Sequence, residues 1–321
     1  MTIQDNMKRT GDPLGFKSAY WTEWANGLDF PPKGPTILLT ARMYQMLPYI
    51  TQLTQMIASA KGLLVGKGMG KLMNIGNRFA GEAIIKFKAK GADDDIKEKG
   101  TCILRGITAA LRAAGETPAF LGENEPYSGA LLYDLGLDDD VSSHAKNVQK
   151  TFSEHGVQRV ITVDPHTALM LKEIYPQFVS EFGVQVQHYL EVLAAHPSVL
   201  AKGSRTNLPN ELVLHDSCVM TRDLGFIDQA RVVAAGLGIK VLDPENAKVN
   251  TACCGGPIEY AFGDLSEKVS TIRIKELAGV SKNILTTCPI CLINLRKYEK
   301  EMGLRVWDMG EILFSAFGKE A

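Results

Sequence analysis

Five cysteines carry the chemistry open to this sequence. Cys218 stands in His215-Asp216-Ser217-Cys218, Cys253 and Cys254 in Cys253-Cys254-Gly255-Gly256, and Cys288 and Cys291 in Cys288-Pro289-Ile290-Cys291. The pattern C-x34-CC-x33-C-x2-C takes five of the six cysteines; the sixth, Cys102, lies far upstream. Cys288 and Cys291 fall where a strand turns into a helix, with Pro289 suited to the first helical position. The N–H groups and dipole of a first turn favour thiolates there. Two adjacent cysteines backed by Gly255 and Gly256 let a turn present both sulfurs while the backbone comes close to a bulky cofactor. Cys218 follows a strand, on the carboxyl edge where α/β sheets gather ligands. Five converging thiolates suit a soft metal or an iron–sulfur cluster. Structural zinc wants four ligands and leaves one cysteine idle. A bare dithiol accounts for Cys288 and Cys291 alone, and packing cysteines do not cluster this way. The expectation is an iron–sulfur cluster. Cys102, on an expected helix, is read as a small apolar residue.

The elements that must position these sulfurs alternate strand and helix. Strands are expected at 36–40, 117–121, 158–163, 211–214, 239–242, 283–286 and 304–307. Helices are expected at 42–60, 102–114, 142–155, 168–174 (stopped by Pro176), 186–195, 226–237, 265–278, 289–300 and 309–317. Alternation with helices of this length implies βαβ units and mainly parallel sheets. The alternation also repeats. RVITVDPHTALMLKEIY (159–175) lines up with NILTTCPICLINLRKYE (283–299), setting Asp164 against Cys288 and Thr167 against Cys291. Glu125 to Ala130 lines up with Thr251 to Gly256, and Leu38 to Arg42 resembles Leu214 to Cys218. The fold class expected is α/β, as two tandem pseudo-symmetric modules, each a small mainly parallel sheet flanked by helices. Residues 1–34 read as an N-terminal arm. Residues 35–180 read as a degenerate module with a basic insertion at about 61–95, 181–210 as a connection, and 211–321 as the intact module.

The bulk numbers fit a chain of 321 residues that is 45% hydrophobic, 22% charged and carries a net charge of −1. It can bury a large core, and no whole-surface nucleic-acid binder is built at that charge. No run reaches the about 18–20 apolar residues of a spanning helix, and no secretory signal is evident. A cytoplasmic site is expected, where thiols stay reduced.

This cysteine set resembles the cysteine-rich CCG module, which occurs twice in the CCG-bearing polypeptide of heterodisulfide reductase and in its relatives. Those relatives include glycolate and lactate oxidase iron–sulfur subunits and a class of succinate dehydrogenase anchors. The resemblance covers residues 35–317, specific in the second module and degraded in the first. It implies a non-cubane 4Fe–4S cluster held by Cys218, Cys253, Cys254, Cys288 and Cys291. In the first module Ala41, Tyr127, Ser128, Asp164 and Thr167 stand where ligands would be, so that cluster should be absent. No ferredoxin-type cysteine run is present either. The resemblance therefore implies electrons exchanged with a ferredoxin-like iron–sulfur subunit and a flavoprotein subunit. The expected function is the redox subunit of a heterodisulfide reductase-like complex, moving electrons to or from a disulfide or persulfide, small or carrier-bound. Two other readings stand beside it: a scaffold or assembly subunit with a structural cluster, and the iron–sulfur subunit of a quinone-linked dehydrogenase.

Around the sulfurs, His215, Asp216, Gly255, Gly256 and Pro289 are expected to orient the ligand loops or donate to sulfur. His166 and Asp164, on the relic loop, are the candidate catalytic pair, an imidazole and a carboxyl facing the cluster across a shared cleft. The remaining histidines, 144, 155, 188 and 196, read as surface or packing residues. Trp21 and Trp24 fit an anchor on a partner or on the chain's own core. Gly66-x-Gly68-x-Gly70 lacks the dinucleotide spacing. The basic, Met- and Leu-bearing insertion around it suits a partner or a peripheral membrane contact.

Overall fold

In the computed structural model, residues 2–50, 94–259 and 262–318 are described. The basic insertion lies outside them save for its last two residues, as does most of the helix expected at 42–60, of which residues 47–50 are helical after a run of turns.

Among the described residues, seven short strands make two all-parallel sheets. β1 (Thr36–Leu39), β2 (Arg159–Thr162) and β3 (Gln185–His188) form the first in the order β1-β2-β3. β4 (Glu211–Leu214), β5 (Lys240–Leu242), β6 (Asn283–Thr286) and β7 (Arg305–Asp308) form the second in the order β5-β4-β6-β7. In β1, β2, β4, β6 and β7 the first residue sits at the rim and the next three are buried. Continuous apolar runs such as Ile37-Leu38-Leu39 and Ile284-Leu285 are what a parallel sheet covered by helices on both faces requires.

The internal repeat is visible in detail. β2 and β6 end at Thr162 and Thr286, and each is followed by a helix with proline in its first turn, Pro165–Leu169 and Pro289–Arg296. Asp164 and Cys288 are the N-caps, both extended, at φ −143° and −132°. Gly129 and Gly255 match as well: each is left-handed, at φ +76° and +81°, and starts a helical turn. Among the described residues, each half also contains one π-helical turn, Met170–Ile174 and Val219–Asp223.

Several elements depart from the sequence reading. The strand expected at 117–121 is a single bridge, Ile37 to Ala119. Pro176 does not stop its helix: the chain runs through a π turn into Tyr175–Phe178, where proline occupies the first turn and needs no N–H donor. Gln185–His188, read as the start of a helix inside the connection, is the third strand of the first sheet. The helix expected from 102 begins at Asp94 and runs to Ala113.

The two halves share a core. One cluster of buried residues joins Ile103, Leu104 and Ile107 of the Asp94–Ala113 helix to Leu212, Leu285, Val306 and Ile312. The Asp94–Ala113 helix crosses Met309–Phe317 at Gly106 and Gly310, where a Cβ on Gly106 would lie 2.2 Å from the Gly310 carbonyl oxygen. Tyr44 Oη donates to Asp308 Oδ2 at 2.9 Å across the same junction. The N-terminal arm is also built in. Phe16, Trp21 and Trp24 are buried, Phe16 stacks on Trp21, and the buried Arg42 donates to the buried Asp12 at 2.9 Å. Both tryptophans therefore anchor on the chain's own core.

Candidate functional site

The three cysteine loops converge where the strands of the second sheet end. All six cysteines are free thiols; Cys254, Cys288 and Cys291 are buried, and Cys218 and Cys253 half-buried. The five thiols influence one another's protonation in series, Cys218 with Cys253, Cys253 with Cys254, Cys254 with Cys291 and Cys291 with Cys288. The series ends on His166, contributed by the first half. Protons are unevenly shared along it. Cys253 is pulled down by its bonds from Cys218 and Cys254, and the Gly255 N–H donates to its Sγ at 3.3 Å. Burial pushes Cys288 up, but the Cys291 thiol and the His166 hydrogen bond and charge hold it well below the ordinary thiol range. Their neighbours Cys218, Cys254 and Cys291 are pushed up, so Cys253 and Cys288 are the two sulfurs that favour the thiolate.

The backbone is shaped for this crowding. Gly256 N–H donates to Cys254 Sγ at 3.4 Å. A Cβ on Gly256 would meet Cys254 Sγ at 3.4 Å and Ile290 Cγ2 at 2.4 Å, and one on Gly255 the Ser266 carbonyl oxygen at 2.6 Å. Asn294 Nδ2 donates to the Cys254 carbonyl, fastening the double-cysteine turn to the Pro289–Arg296 helix. Asp216 ties the first ligand loop to its surroundings. Its carboxylate accepts from both terminal nitrogens of Arg231 at 2.9 and 2.8 Å and from Lys248 N–H at 2.7 Å, while its carbonyl accepts from Thr251 Oγ1 at 2.9 Å.

His215 lies inside the site, with one ring nitrogen within 4.8 Å of both Cys254 Sγ and Cys291 Sγ. Its Nδ1 accepts from Arg273 Nε at 3.0 Å. Burial and then the Arg273 charge lower its pKa to about 3, so the ring is neutral. Arg273 is fully buried and is held by Glu276, the Asn246 carbonyl and Thr251.

The relic loops meet this site directly. Asp164 is buried, caps its helix by accepting from Thr167 N–H at 3.0 Å, and is raised by burial to about 6, with the His166 charge opposing. Burial lowers His166, but the bond to Cys288 and the charges of Cys288, Asp164 and Asp134 outweigh it and take the ring to about 9. Ala41, Tyr127, Ser128 and Thr167 are all buried. Tyr127 Oη accepts from Leu131 N–H, and Tyr175 donates to the Ser128 carbonyl. Ala41 and Arg42 are both left-handed, held by Thr40, Glu125 and Asp12. Cys102 sits apart, on the Asp94–Ala113 helix, raised by burial.

Among the residues the sequence did not single out, Arg273 and Asn294 hold the site most directly. Arg273 falls on the buried face of the Gly263–Val280 helix, beside Ser266, Ser270, Ile274 and Leu277, and this mixed face gave no sequence signal of its burial. Asn294 gave none either, because helix interiors admit asparagine for many reasons.

Five converging sulfurs exceed what tetrahedral zinc uses. A cation would displace the protons that remain on them, and the glycine cradle leaves backbone N–H groups aimed at sulfur. The donor set fits an iron–sulfur cluster.

Residues 212–296, which enclose all five cysteines, match the family described as CCG, a cysteine-rich domain. Over 241 residues the chain is 29% identical to the EtfAB:quinone oxidoreductase of Syntrophomonas wolfei, a match covering 70% of this chain and 32% of that protein. It is 26% identical over 215 residues to the probable iron-sulfur-binding oxidoreductase FadF of Bacillus subtilis, covering 63% and 30%. It is 25% identical over 210 residues to lactate utilization protein A 2 of Bacillus cereus, covering 61% and 85%. The chain thus spans about a third of the first two relatives. It is similar to iron–sulfur oxidoreductases, and its residues 212–296 match the cysteine-rich domain. Among the described residues no helix is long and apolar enough to cross a membrane.

Proposed function

We propose that this chain is an electron-transfer unit of a larger oxidoreductase, with one non-cubane 4Fe–4S cluster held by Cys218, Cys253, Cys254, Cys288 and Cys291. The observation that carries the reading is the gathering of the cysteine loops at one edge of the second sheet, with the Cys254 and Cys291 sulfurs and a His215 nitrogen within 4.8 Å of one another and backbone N–H groups of Gly255 and Gly256 on sulfur. When bound, the cluster supplies one-electron storage at the carboxyl edge of the second sheet. His166 holds a proton on the ring nitrogen that faces Cys288 Sγ, with Asp164 and Asp134 supporting its charge. Asp164 also fixes the first turn of the helix that bears His166. The intact half thus handles the electron and the relic half the proton. That pairing suits an acceptor that takes up both, such as a disulfide or persulfide. Ferredoxin-like and flavoprotein subunits would exchange electrons with the unit.

A second reading, the iron–sulfur unit of a quinone-linked dehydrogenase, is favoured by the name of the relative that is an EtfAB:quinone oxidoreductase. Anaerobic reconstitution followed by iron and acid-labile sulfide analysis and EPR tests the shared premise. About four iron and matching sulfide per chain are expected; zinc without sulfide would sink it. Reoxidation of the reduced protein by a disulfide, a persulfide or a short-chain quinone separates the two readings. A cluster inert to all three would make it a structural one.

A further inference from the structure

The ring of His215 can meet the cluster in two ways: as a sixth ligand through a bare nitrogen, or as a donor through an N–H. A guanidinium has donors only, so the Arg273 Nε bond at 3.0 Å obliges His215 Nδ1 to present its lone pair. The neutral ring then carries its single proton on Nε2. That atom is buried and has no hydrogen-bond partner, while a ring nitrogen lies within 4.8 Å of the sulfurs of Cys254 and Cys291.

Arg273 cannot easily turn away. It is fully buried, its NH1 group donates to Glu276 at 2.8 Å and to the Asn246 carbonyl at 2.9 Å, and its NH2 group donates to Thr251 Oγ1 at 3.2 Å. Thr251 in turn donates to the Asp216 carbonyl, beside His215. Three fixed bonds of the guanidinium leave Nε one direction, toward Nδ1. Imidazoles beside metal centres are commonly set in this way by a partner on the far nitrogen.

We infer that Arg273 is a positioning residue that locks His215 as the Nε2–H tautomer, barring it as a ligand and making it a hydrogen-bond donor to a sulfur of the site. This rests on the cluster reading above. A donor to sulfur stabilises the more negative, reduced state and raises the reduction potential. Arg273, the residue that sets the potential, would then be one that never touches the cluster.

The test has two arms. In the full chain with 15N-labelled histidine and iron removed, the His215 resonance is assigned by its loss in His215→Asn. The Nε2-protonated ring is expected between about pH 5 and 8. Arg273→Met should give a mixture of tautomers, and Arg273→Lys, which keeps a donor, should restore the single form. An Nδ1-protonated ring in the unaltered chain overturns the inference. In the second arm, on reconstituted protein, Arg273→Met and His215→Phe should each lower the reduced-to-oxidised ratio at a fixed potential tenfold, about 59 mV for a one-electron couple, with Arg273→Lys close to the unaltered protein. Unchanged potentials in His215→Phe overturn the donor role, and that variant stands even if Arg273→Met fails to fold. Should no cluster assemble in the unaltered chain, the cluster reading fails, while the tautomer arm still decides what Arg273 does.

Discussion

Asp164 and Cys288 occupy one position in two copies of a module. Each is an extended N-cap followed by proline, but only Asp164 caps with its side chain, accepting from Thr167 N–H at 3.0 Å, whereas the Cys288 sulfur makes no capping bond. The carboxylate supplies a cap that the sulfur in the other half does not. The relic turn therefore keeps its shape without iron and continues to hold His166 against Cys288.

That arrangement predicts separable effects. His166→Ala should lower turnover of the assembled complex on the order of a hundredfold, the lower range for a lost proton donor. Asp164→Asn preserves a good cap but removes the charge beside His166, so a smaller loss in the same direction is expected. Iron content per chain should be unchanged in both. Turnover unaltered in both variants would leave the relic half as packing.

Cys102→Ala should retain full iron and sulfide, because Cys102 lies outside the sulfur series. Cys288→Ser should lose most of both. Metal analysis of the two proteins purified side by side checks the assignment.

Gly255→Ala and Gly129→Ala form a matched pair. Each forces a side chain into left-handed backbone, which costs about 1–2 kcal/mol, and each adds a close contact, with the Ser266 carbonyl or the His144 ring. Both should melt earlier than the unaltered protein. Only Gly255→Ala should also bind less iron, since Gly255 N–H points at Cys253 Sγ.

Asp216→Ala leaves Arg231 with Asp243 and the Ile227 carbonyl, and Lys248 N–H without its acceptor. Removing one partner of a buried pair costs about 3 kcal/mol. In urea the midpoint should fall with an unchanged slope, the signature of lost stability rather than altered compactness.

Burial raises Glu125 from 4.5 to about 7, against the opposing bonds from Thr40 and the charge of Arg42. Between those values the folded chain holds a proton that the unfolded chain has released. Its contribution is full below pH 4.5, declines as pH rises, and is gone above about 7. Stability curves for the unaltered protein and Glu125→Gln should diverge across this window, with the variant lacking Glu125's share of the decline. Parallel curves would refute the shift.

The sulfur ligand loops, β6 and the last helix could be read from sequence because each carries its own local signal: cysteine spacing, a short apolar run, proline at the first helical position. Asp164 opposite Cys288 was legible because the repeat preserved spacing even where chemistry changed. Gln185–His188 was not. Its polar alternation gives no strand signal by itself, and β2 alone makes it one. Arg273 escaped for the opposite reason, since a lone arginine in a helix looks solvated until the fold buries it. The tie between His166 and Cys288 depends on how two halves pack, which no local pattern encodes.

The Gly106–Gly310 crossing joins residues about two hundred positions apart in the chain. Contacts of such sequence separation form late, after the entropy of closing a long loop has been met. The Asp94–Ala113 helix of the first half therefore waits for the last helix of the second before its buried stripe is covered. During synthesis, the relic half emerges unfinished and completes only when Met309–Phe317 has left the ribosome. Iron delivered before that moment would meet cysteine loops whose two halves are not yet packed together, so maturation of the metal centre is tied to the docking of Met309–Phe317 on Asp94–Ala113.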